Sequence, residues 1–181
     1  MNENKYAVWI GRFQPFHVGH ERILNKIREE FNNVIIILGT PQIGDRFSFE
    51  DRKIFLNFLC TEMQFTKFYI LTHQDHEDDH KWAYEIVKLF NWFILKNSVL
   101  IKSIKKKDIN EDGKHYLDFL TDNGYFKESV AYIVEDELSA KDIRKDPVKN
   151  IDSVHPYLRK MFLNKYVKRN QYVEHHRSLF R

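Results

Sequence analysis

The sequence predicts an α/β protein built around a parallel sheet. Two kinds of segment alternate along its 181 residues: short apolar runs rich in β-branched residues, and longer stretches whose apolar residues share one helical face. Turn-forming residues flank the short runs, which is typical of strands. Strands that alternate with helices at this spacing form right-handed β-α-β units, and these place helices on both faces of a parallel sheet.

Five of the short runs are predicted strands. The first two, YAVWIG and NVIIILG, are nearly continuous apolar runs, which favours strands that are buried on both faces. Three later runs have a similar composition. The predicted strands cover residues 6–11, 33–39, 67–72, 98–104 and 129–134.

Three amphipathic helices are predicted between the strands, and a basic helical segment follows at 154–180. Ser48, followed by Asp51, is the expected cap of the second helix. The predicted buried faces are Ile23, Leu24, Ile27 and Phe31 within 20–31, Ile54, Phe55, Phe58 and Leu59 within 48–63, and Ile86, Leu89, Phe90 and Phe93 within 81–93. The predicted fold class is α/β, a Rossmann-like parallel sheet with helices on both faces. Residues 1–147 are expected to form the α/β unit, and residues 148–181 a helical C-terminal segment of the same domain.

Composition narrows the classes of function. Hydrophobic residues make up 43% of the chain and aromatic residues 15%, so a packed domain is expected rather than disorder. The net charge of +3 permits an anionic ligand, but no basic stripe interleaved with aromatic residues predicts nucleic-acid binding. A single cysteine suits a reducing compartment, and no apolar run suggests a signal peptide or a membrane span. We therefore expect a cytoplasmic protein that binds neither nucleic acid nor a membrane.

The stretch GRFQPFHVGH, residues 11–20, directly follows the first predicted strand. In a parallel α/β sheet, ligands bind beyond the carboxyl ends of the strands, close to helix N-termini. Gly11 permits a tight exit from the strand, and Gly19 would let the backbone approach a ligand closely. His17 and His20 can project from one face of the first helix, where imidazoles can donate to phosphoryl oxygens. The alternative is that His17 only caps the helix while His20 lies on the surface.

The same stretch resembles the H-x-G-H signature of the nucleotidyltransferase superfamily, which comprises adenylyl- and cytidylyltransferases. More closely, G-R-F-Q-P-F-H-x-G-H is similar to the nicotinamide-nucleotide adenylyltransferases of the archaeal type and their bacterial relatives. The resemblance extends over roughly residues 6–147. It implies that His17 and His20 are catalytic and that ATP is also bound by Gly11, Arg12, Phe13 and Gly19.

Two loops after the second strand also match the family. LGTPQ at 38–42 is similar to a small-residue loop that ends in Gln, and DRFSFEDR at 45–52 resembles the family's F-[ST]-x-x-[ED]-R helix start. The resemblance implies that Arg46 binds the phosphate of the mononucleotide and that Gln42 belongs to the mononucleotide site. Arg52 has two interpretations, as part of this site or as a structural partner of the acidic first helical turn.

The stretch HQDHEDDHKW, residues 73–82, holds three histidines and four acidic residues, which alone would suggest a metal site. Most of them are consecutive in a predicted loop and cannot all converge, so a solvated acidic loop is favoured and no metal ligand is predicted. Family members have a Trp seven residues after a Q-D pair, and Asp75 and Trp82 match this spacing. The resemblance implies that Trp82 stacks on the pyridine ring and that Asp75 orders the loop or binds the carboxamide. The alternative for Trp82 is a core aromatic.

The stretch LSAKDIRKD at 138–146 resembles the superfamily's second signature, [IL]-S-x-T-x-[IV]-R. The resemblance implies that Ser139 and Arg144 bind the ATP phosphates, with Arg144 also catalytic. Lys141 stands where the family has Thr; it can bring positive charge to the triphosphate but has no hydroxyl. Between residues 102 and 120, relatives often have a Gly-x-x-Lys-Asp segment followed by Tyr-Tyr-Leu, whereas this chain has HYL at 115–117.

The resemblance implies transfer of AMP from ATP to nicotinamide mononucleotide, which yields NAD and pyrophosphate. It also implies Mg²⁺ on the phosphates and assembly into a homo-oligomer. One alternative is an adenylyl- or cytidylyltransferase with another phosphorylated acceptor; a second is a non-catalytic nucleotide sensor, which only Lys141 favours. A third is a nucleic-acid-binding arm in the basic C-terminal helix, but its charges alternate with apolar positions as on an ordinary amphipathic helix.

Overall fold

The sheet contains all five predicted strands. The computed structural model of the chain describes residues 4–41, 45–90, 92–104, 115–134 and 139–167. The strands are β1 Tyr6–Gly11, β2 Asn33–Leu38, β3 Lys67–Thr72, β4 Ser98–Ile104 and β5 Glu128–Ile133. Three of them match the predicted bounds; β2 ends one residue earlier than predicted, and β5 begins and ends one residue earlier.

The strands form one parallel sheet in the order β3-β2-β1-β4-β5. The chain passes from β1 to β2 and β3 on one side, and then returns to place β4 on the other side of β1. At such a reversal, neighbouring connections leave the strand ends in opposite directions, which opens a crevice beyond the carboxyl ends of the strands. This reversal positions the candidate site between β1 and β4.

Helices cover both faces of this sheet, as the sequence predicts. The α-helices of the described residues are α1 Val18–Glu30, α2 Phe49–Glu62, α3 Asp79–Lys88, α4 Trp92–Lys96, α5 Asp118–Asp122, α6 Ala140–Lys145 and α7 Pro156–Tyr166. Successive strand residues point to opposite faces. Ala7 and Trp9 therefore join a core with residues of α1, α2, α6 and α7, while Val8 joins a second core with residues of α3 and α5.

The first helix confirms its predicted face, and the second confirms its predicted cap. Ile23, Leu24, Ile27 and Phe31 are all at most 2% exposed. The Ser48 side chain accepts the Asp51 N–H at 3.1 Å, and Asp51 Oδ2 accepts the Ser48 N–H at 2.8 Å. Each residue thus satisfies an N–H group that the first helical turn would leave unpaired.

The predicted buried face of α2 is partly wrong. Phe55 and Leu59 are buried, but Ile54 is 57% exposed and Phe58 is 36% exposed. Leu56, Cys60 and Arg52 are buried in their place. The reason is Arg52, whose guanidinium points inward to backbone carbonyls and so fixes the rotation of the helix about its axis. A hydrophobic pattern assigns an arginine to the outside and misses this anchor.

The third predicted helix, 81–93, is also wrong in extent, because the chain leaves the helix after Lys88. The N–H groups of Leu89 and Phe90 bond carbonyls three residues back, which tightens the chain into a turn before α4. Ile86 is buried as predicted, whereas Leu89 is 38% exposed. The predicted burial of Phe93 concerns a side chain outside the described residues.

The described part of the C-terminal segment contains a short 3₁₀ turn at Ile151–Ser153 and the amphipathic helix α7. The helix buries Leu158, Phe162 and Tyr166 in the core that contains Trp9. Residues 168–180 of the predicted helix lie outside the described residues, and the division at residue 147 stays a prediction. Within the described ranges, no helix has the length and apolar character needed to cross a bilayer.

Candidate active site

A cavity of about 290 Å³ lies where the strand order reverses. Its floor is formed by the end of β1, and its walls come from the start of α1, the ends of β4 and β5, and the start of α6. Two arginines and three histidines line it, and the described lining residues include no carboxylate. The cavity is therefore suited to an anion, because donors and positive charge face it from several sides.

The exit of β1 is shaped by Gly11 and Phe13. Phe13 adopts a left-handed backbone conformation, with φ of 51°, and its ring lies directly on Gly11. A Cβ on Gly11 would come within 2.8 Å of Phe13 Cζ, closer than van der Waals contact allows. The Phe13 ring also packs against Trp9 at 4.6 Å and His20 at 5.1 Å between ring centroids. The absence of a side chain at Gly11 thus leaves room for the Phe13 ring, which packs against the His20 ring.

His17 and His20 cap α1 and line the cavity at the same time. Gly19 N–H donates to His17 Nδ1 at 3.2 Å, and His17 N–H donates to His20 Nδ1 at 3.3 Å. Because Nδ1 accepts in both rings, the proton of each neutral imidazole sits on Nε2, so each ring carries an Nε2–H donor. The ring centroids are 3.8 Å apart. The alternative that His17 caps the helix is therefore correct, but His20 faces the cavity rather than the surface.

The second signature reaches the same cavity from α6. Ser139 is the N-cap of this helix, and its Oγ accepts the N–H of Asp142 at 3.2 Å. Arg144 lines the cavity, donates to the Gln14 carbonyl and pairs with Asp45 at 3.5 Å. Lys141 is exposed and does not belong to the described lining.

The structure therefore gathers most of the predicted ATP and catalytic residues in one place. The cavity is lined by Gly11, Arg12, Phe13, His17, Gly19, His20, Ser139 and Arg144. Their convergence requires the loop after β1, the helix α1 and the turn into α6 to meet at one edge of the sheet. Their individual roles toward ATP stay predictions.

The predicted mononucleotide residues lie outside this lining. Arg46 donates to the carbonyls of Lys165 and Tyr166 at 2.6 and 3.2 Å, and its guanidinium lies over the Tyr166 ring at 4.9 Å. Trp82 is half-buried against the second core, and its ring centroid is 6.0 Å from that of His73. Gln42 lies outside the described residues.

Asp75 lies beside the cavity edge. Its N–H donates to Thr40 Oγ1 at 2.9 Å. A Cβ on Gly39 would approach Arg12 Cγ at 3.3 Å and Asp75 Oδ1 at 3.6 Å, so Arg12 and Asp75 flank the same glycine. This places the loop after β3 next to the loop after β1. Asp75 thus lies close to Arg12, which belongs to the cavity lining.

Arg52 acts on the backbone rather than on the acidic first turn of its helix. Its guanidinium donates to the carbonyls of Arg12 and Gly39 at 2.7 and 2.9 Å. It thereby ties the loops after β1 and β2 together. Arg52 is 3% exposed, and burial lowers its pKa. These contacts give Arg52 a structural role, but its partners are loop carbonyls rather than the acidic first turn that the sequence suggested.

Several lining residues were missed from the sequence, above all His115, Tyr116 and Ser103. Ser103 lies near the end of a predicted strand, and this position was a usable signal. His115 and Tyr116 follow the polar stretch 105–114 in the sequence, and no local pattern predicts that they reach this edge of the sheet. Gln14 was also missed; its side-chain amide donates to the Phe47 carbonyl at 2.6 Å and its Oε1 accepts the Phe47 N–H at 3.2 Å, which fixes the approach to α2.

Comparison with known proteins agrees with the motifs. The cytidylyltransferase-like family model matches residues 8–55, which contain both histidines and Arg52. A nicotinamide-nucleotide adenylyltransferase of Picrophilus torridus is 30% identical over 54% of this chain and 62% of its own. A nicotinamide/nicotinic acid mononucleotide adenylyltransferase of Acinetobacter baylyi is 32% identical over 51% of this chain and 52% of its own. The matches thus span less than two thirds of these relatives.

Solved structures share the fold. A bifunctional NMN adenylyltransferase/ADP ribose pyrophosphatase from Francisella tularensis superposes with a TM-score of 0.68 at 21% identity, over 98% of this chain and 56% of that one. The same protein complexed with AMP and a manganese ion gives a TM-score of 0.66 at 20% identity, with the same coverage. The α/β fold and the predicted resemblance are confirmed: this chain is similar to the nicotinamide-nucleotide adenylyltransferases.

Proposed function

We propose that this protein transfers AMP from ATP to nicotinamide mononucleotide, forming NAD and pyrophosphate. The observation that carries the proposal is the cavity at the strand reversal, whose described lining combines three imidazoles and two guanidiniums without a carboxylate. A polyanion is the ligand that such a set of donors stabilises best. The names of the similar proteins support nicotinamide mononucleotide as the acceptor.

The nucleotide binds with its phosphates between α1 and α6. His17 and His20 donate through Nε2–H to phosphoryl oxygens, and Arg144 adds charge from the opposite wall. Ser139 and the backbone around Gly19 complete the anion site at two helix N-termini. Both histidines are held by the cap of α1, so their donors are oriented before the nucleotide arrives, which lowers the reorganisation that the reaction requires.

The mononucleotide binds on the side of β2 and β3. Asp75, next to Arg12, lies at the border of the two substrates, and Trp82 offers an indole for the pyridine ring. Arg46 serves the phosphate of the mononucleotide only if it gives up its bonds to the end of α7. We therefore infer that binding of the acceptor displaces Arg46 from these carbonyls.

The reaction needs positioning and charge stabilisation rather than a general base. An oxygen of the acceptor 5′-phosphate, already anionic at neutral pH, forms a bond to the α-phosphorus of ATP. The bond from that phosphorus to the bridging oxygen breaks, and pyrophosphate leaves with the electron pair. The fixed donors of His17, His20 and Arg144 stabilise the charge that accumulates on the phosphoryl oxygens.

A divalent cation fits this site if it is bound mainly by the phosphates of ATP. Among the described lining residues no carboxylate is available to it, so its ligands would be phosphate oxygens and water, as is common for Mg²⁺. Bound there, it would supply further charge neutralisation. Mg²⁺ is the ion we propose, and assembly into a homo-oligomer stays a prediction.

The test is a steady-state assay with ATP, Mg²⁺ and one acceptor at a time. NAD formation, identified by mass, at an ordinary enzymatic rate with nicotinamide mononucleotide supports the proposal. Turnover only with another phosphorylated acceptor would replace the acceptor, and tight ATP binding with no acceptor turning over would favour a sensor. The Lys141→Thr variant runs beside the wild type, because its side chain lies outside the described lining and we expect no change in rate.

A further inference from the structure

The exposed surface of α2 carries an apolar patch, the reverse of what the hydrophobic pattern predicts for these residues. Ile54 is 57% exposed, and Phe58, one turn later on the same side of the helix, is 36% exposed. The Phe58 ring stacks on that of Tyr157 from α7, at 4.4 Å between centroids, and Tyr157 is itself 57% exposed. Three large side chains thus adjoin on the outside of the molecule, and contiguous apolar patches of this kind mark interaction surfaces.

A groove of about 290 Å³ continues this patch between α1 and α2. Its walls are partly apolar, with Leu24 from α1 and Phe58 and Met63 from the C-terminal end of α2. Two carboxylates, Glu21 and Glu62, also line the groove, and its described lining contains no lysine or arginine. Apolar walls beside carboxylates suit a side chain with an alkyl stem and a cationic head, which is the chemistry of lysine.

The outer face of α2, which we define as residues 53, 54, 57, 58, 61 and 62, carries such a lysine. These residues follow the spacing of one helix face, and none of them is buried. Lys53 lies at one end of the face and Glu62 at the other, with Ile54 and Phe58 between them. Neither Lys53 nor Glu62 forms an ion pair with another residue that the structure describes.

This outer face is complementary to a second copy of itself. When two copies of a helix pack antiparallel about a twofold axis, each end of one helix meets the opposite end of the other. The midpoint of the outer face lies between Asn57 and Phe58. An axis at this point brings Lys53 opposite Glu62 of the partner subunit, and symmetry forms the same pair a second time. The two Phe58 rings then come together near the axis.

We propose that the outer face of α2 is the contact surface of a homodimer, in which Lys53 enters the groove of the other copy beside Glu62 of the partner subunit. The stacked rings of Phe58 and Tyr157 form the apolar centre of the contact. Exposed ion pairs contribute little affinity, so the apolar centre supplies most of the binding and the charges fix the antiparallel orientation. The contact lies outside the candidate active-site cavity and does not depend on the proposed function.

Sedimentation of the full chain over a series of concentrations measures the dimer Kd. We expect a monomer–dimer equilibrium in the wild type. Phe58→Glu should raise the Kd at least about 100-fold, because a charge replaces an aromatic ring at the centre of the contact. Tyr84→Glu is the matched control and should leave the Kd unchanged, since Tyr84 is 54% exposed on α3, which packs on the other face of the sheet. Circular dichroism shows that each variant is folded.

Charge exchange tests the antiparallel pairing with variants that keep the apolar centre intact. Lys53→Glu and Glu62→Lys each place like charges at both contacts, so each should raise the Kd about 10-fold. An equimolar mixture of the two variants places opposite charges at both contacts of a heterodimer, and its Kd should return to the wild-type value. Lys81→Glu, an exposed lysine on α3, is the control that should change nothing.

Three results would overturn the proposal. A wild type that stays monomeric at every concentration would show that a second copy does not occupy this face. An oligomer whose Kd is unchanged by Phe58→Glu would place the contact on another surface. Weakening by both charge variants with no recovery in their mixture would contradict the pairing of Lys53 with Glu62 of the partner subunit.

Discussion

His17 has two separable functions in this structure, and replacing it by Asn or Ala distinguishes them. The side chain caps α1 through Nδ1, which accepts the Gly19 N–H at 3.2 Å, and it offers Nε2–H to the cavity. Asn retains an acceptor at the cap position, whereas Ala does not. Both substitutions remove Nε2. The two variants should therefore be alike in catalysis and different in stability.

The magnitudes follow from these contacts. Loss of one preorganised donor to the reacting phosphoryl group lowers kcat by about 10²- to 10³-fold, or roughly 3–4 kcal/mol. Loss of the cap lowers the free energy of unfolding by about 1 kcal/mol. For a chain of 181 residues this corresponds to a Tm lower by about 2–4 °C. Both variants also lose the packing of a ring that is 5% exposed, so the difference between them isolates the cap.

The assay combines NAD formation at saturating substrates with thermal unfolding of His17→Asn, His17→Ala and the control Ser48→Ala. Ser48 caps α2 outside the cavity, so its replacement should lower Tm by a similar amount and leave kcat unchanged. Wild-type turnover in His17→Asn would refute the assignment of His17 to catalysis. A Tm of His17→Asn as low as that of His17→Ala would refute the separation of the two functions.

Three further predictions concern other parts of the site and its support. Gly11→Ala should raise the KM for ATP and lower stability by about 1–3 kcal/mol, because the new Cβ displaces the Phe13 ring; an unchanged KM and Tm would contradict this contact. Arg52→Lys removes the guanidinium that donates to the Arg12 and Gly39 carbonyls, so the free energy of unfolding from urea titrations should fall by about 2–4 kcal/mol. A decrease below about 0.5 kcal/mol would show that these hydrogen bonds contribute little to stability. Burial lowers the pKa of His155 below its usual 6.5, so the unfolded chain binds a proton first and stability falls as the pH drops through 6.5 toward the folded pKa. The Tm of His155→Asn should therefore fall less than that of the wild type between pH 7 and pH 5. An equal fall of Tm in both proteins would show that the lowered pKa of His155 does not cause the pH dependence.

The strands and the first motif were predictable because their signals are local. β1 and β4 were found with their observed bounds, since continuous apolar runs between turn-formers leave few alternatives. The motif at 11–20 directly follows β1, so predicting this strand also predicts that the motif lies at the carboxyl edge of the sheet. The second signature lies at the same edge for the same reason, because Ser139 follows β5 in the chain and Arg144 lies in the helix α6 that Ser139 caps.

The remaining features depend on contacts between distant segments. The rotation of α2 is set by Arg52 and carbonyls 13 and 40 residues away, which no helical pattern contains. His115 reaches the cavity only because Asp118 and Lys102 close its turn against β4. Arg46 was expected at a phosphate, and its contact with the end of α7 depends on a helix 119 residues later in the chain. These are tertiary effects, and they decide the details of the site more than local propensity does.

Isotopic labelling of ATP measures directly whether its α-phosphoryl group, as part of AMP, is transferred to the acceptor. The protein is incubated with Mg²⁺, nicotinamide mononucleotide and ATP labelled at either the α- or the γ-phosphate, and the products are separated. We expect α-label to enter NAD and γ-label to enter pyrophosphate, in equal molar amounts. Label in AMP or inorganic phosphate, with none in NAD, would contradict it.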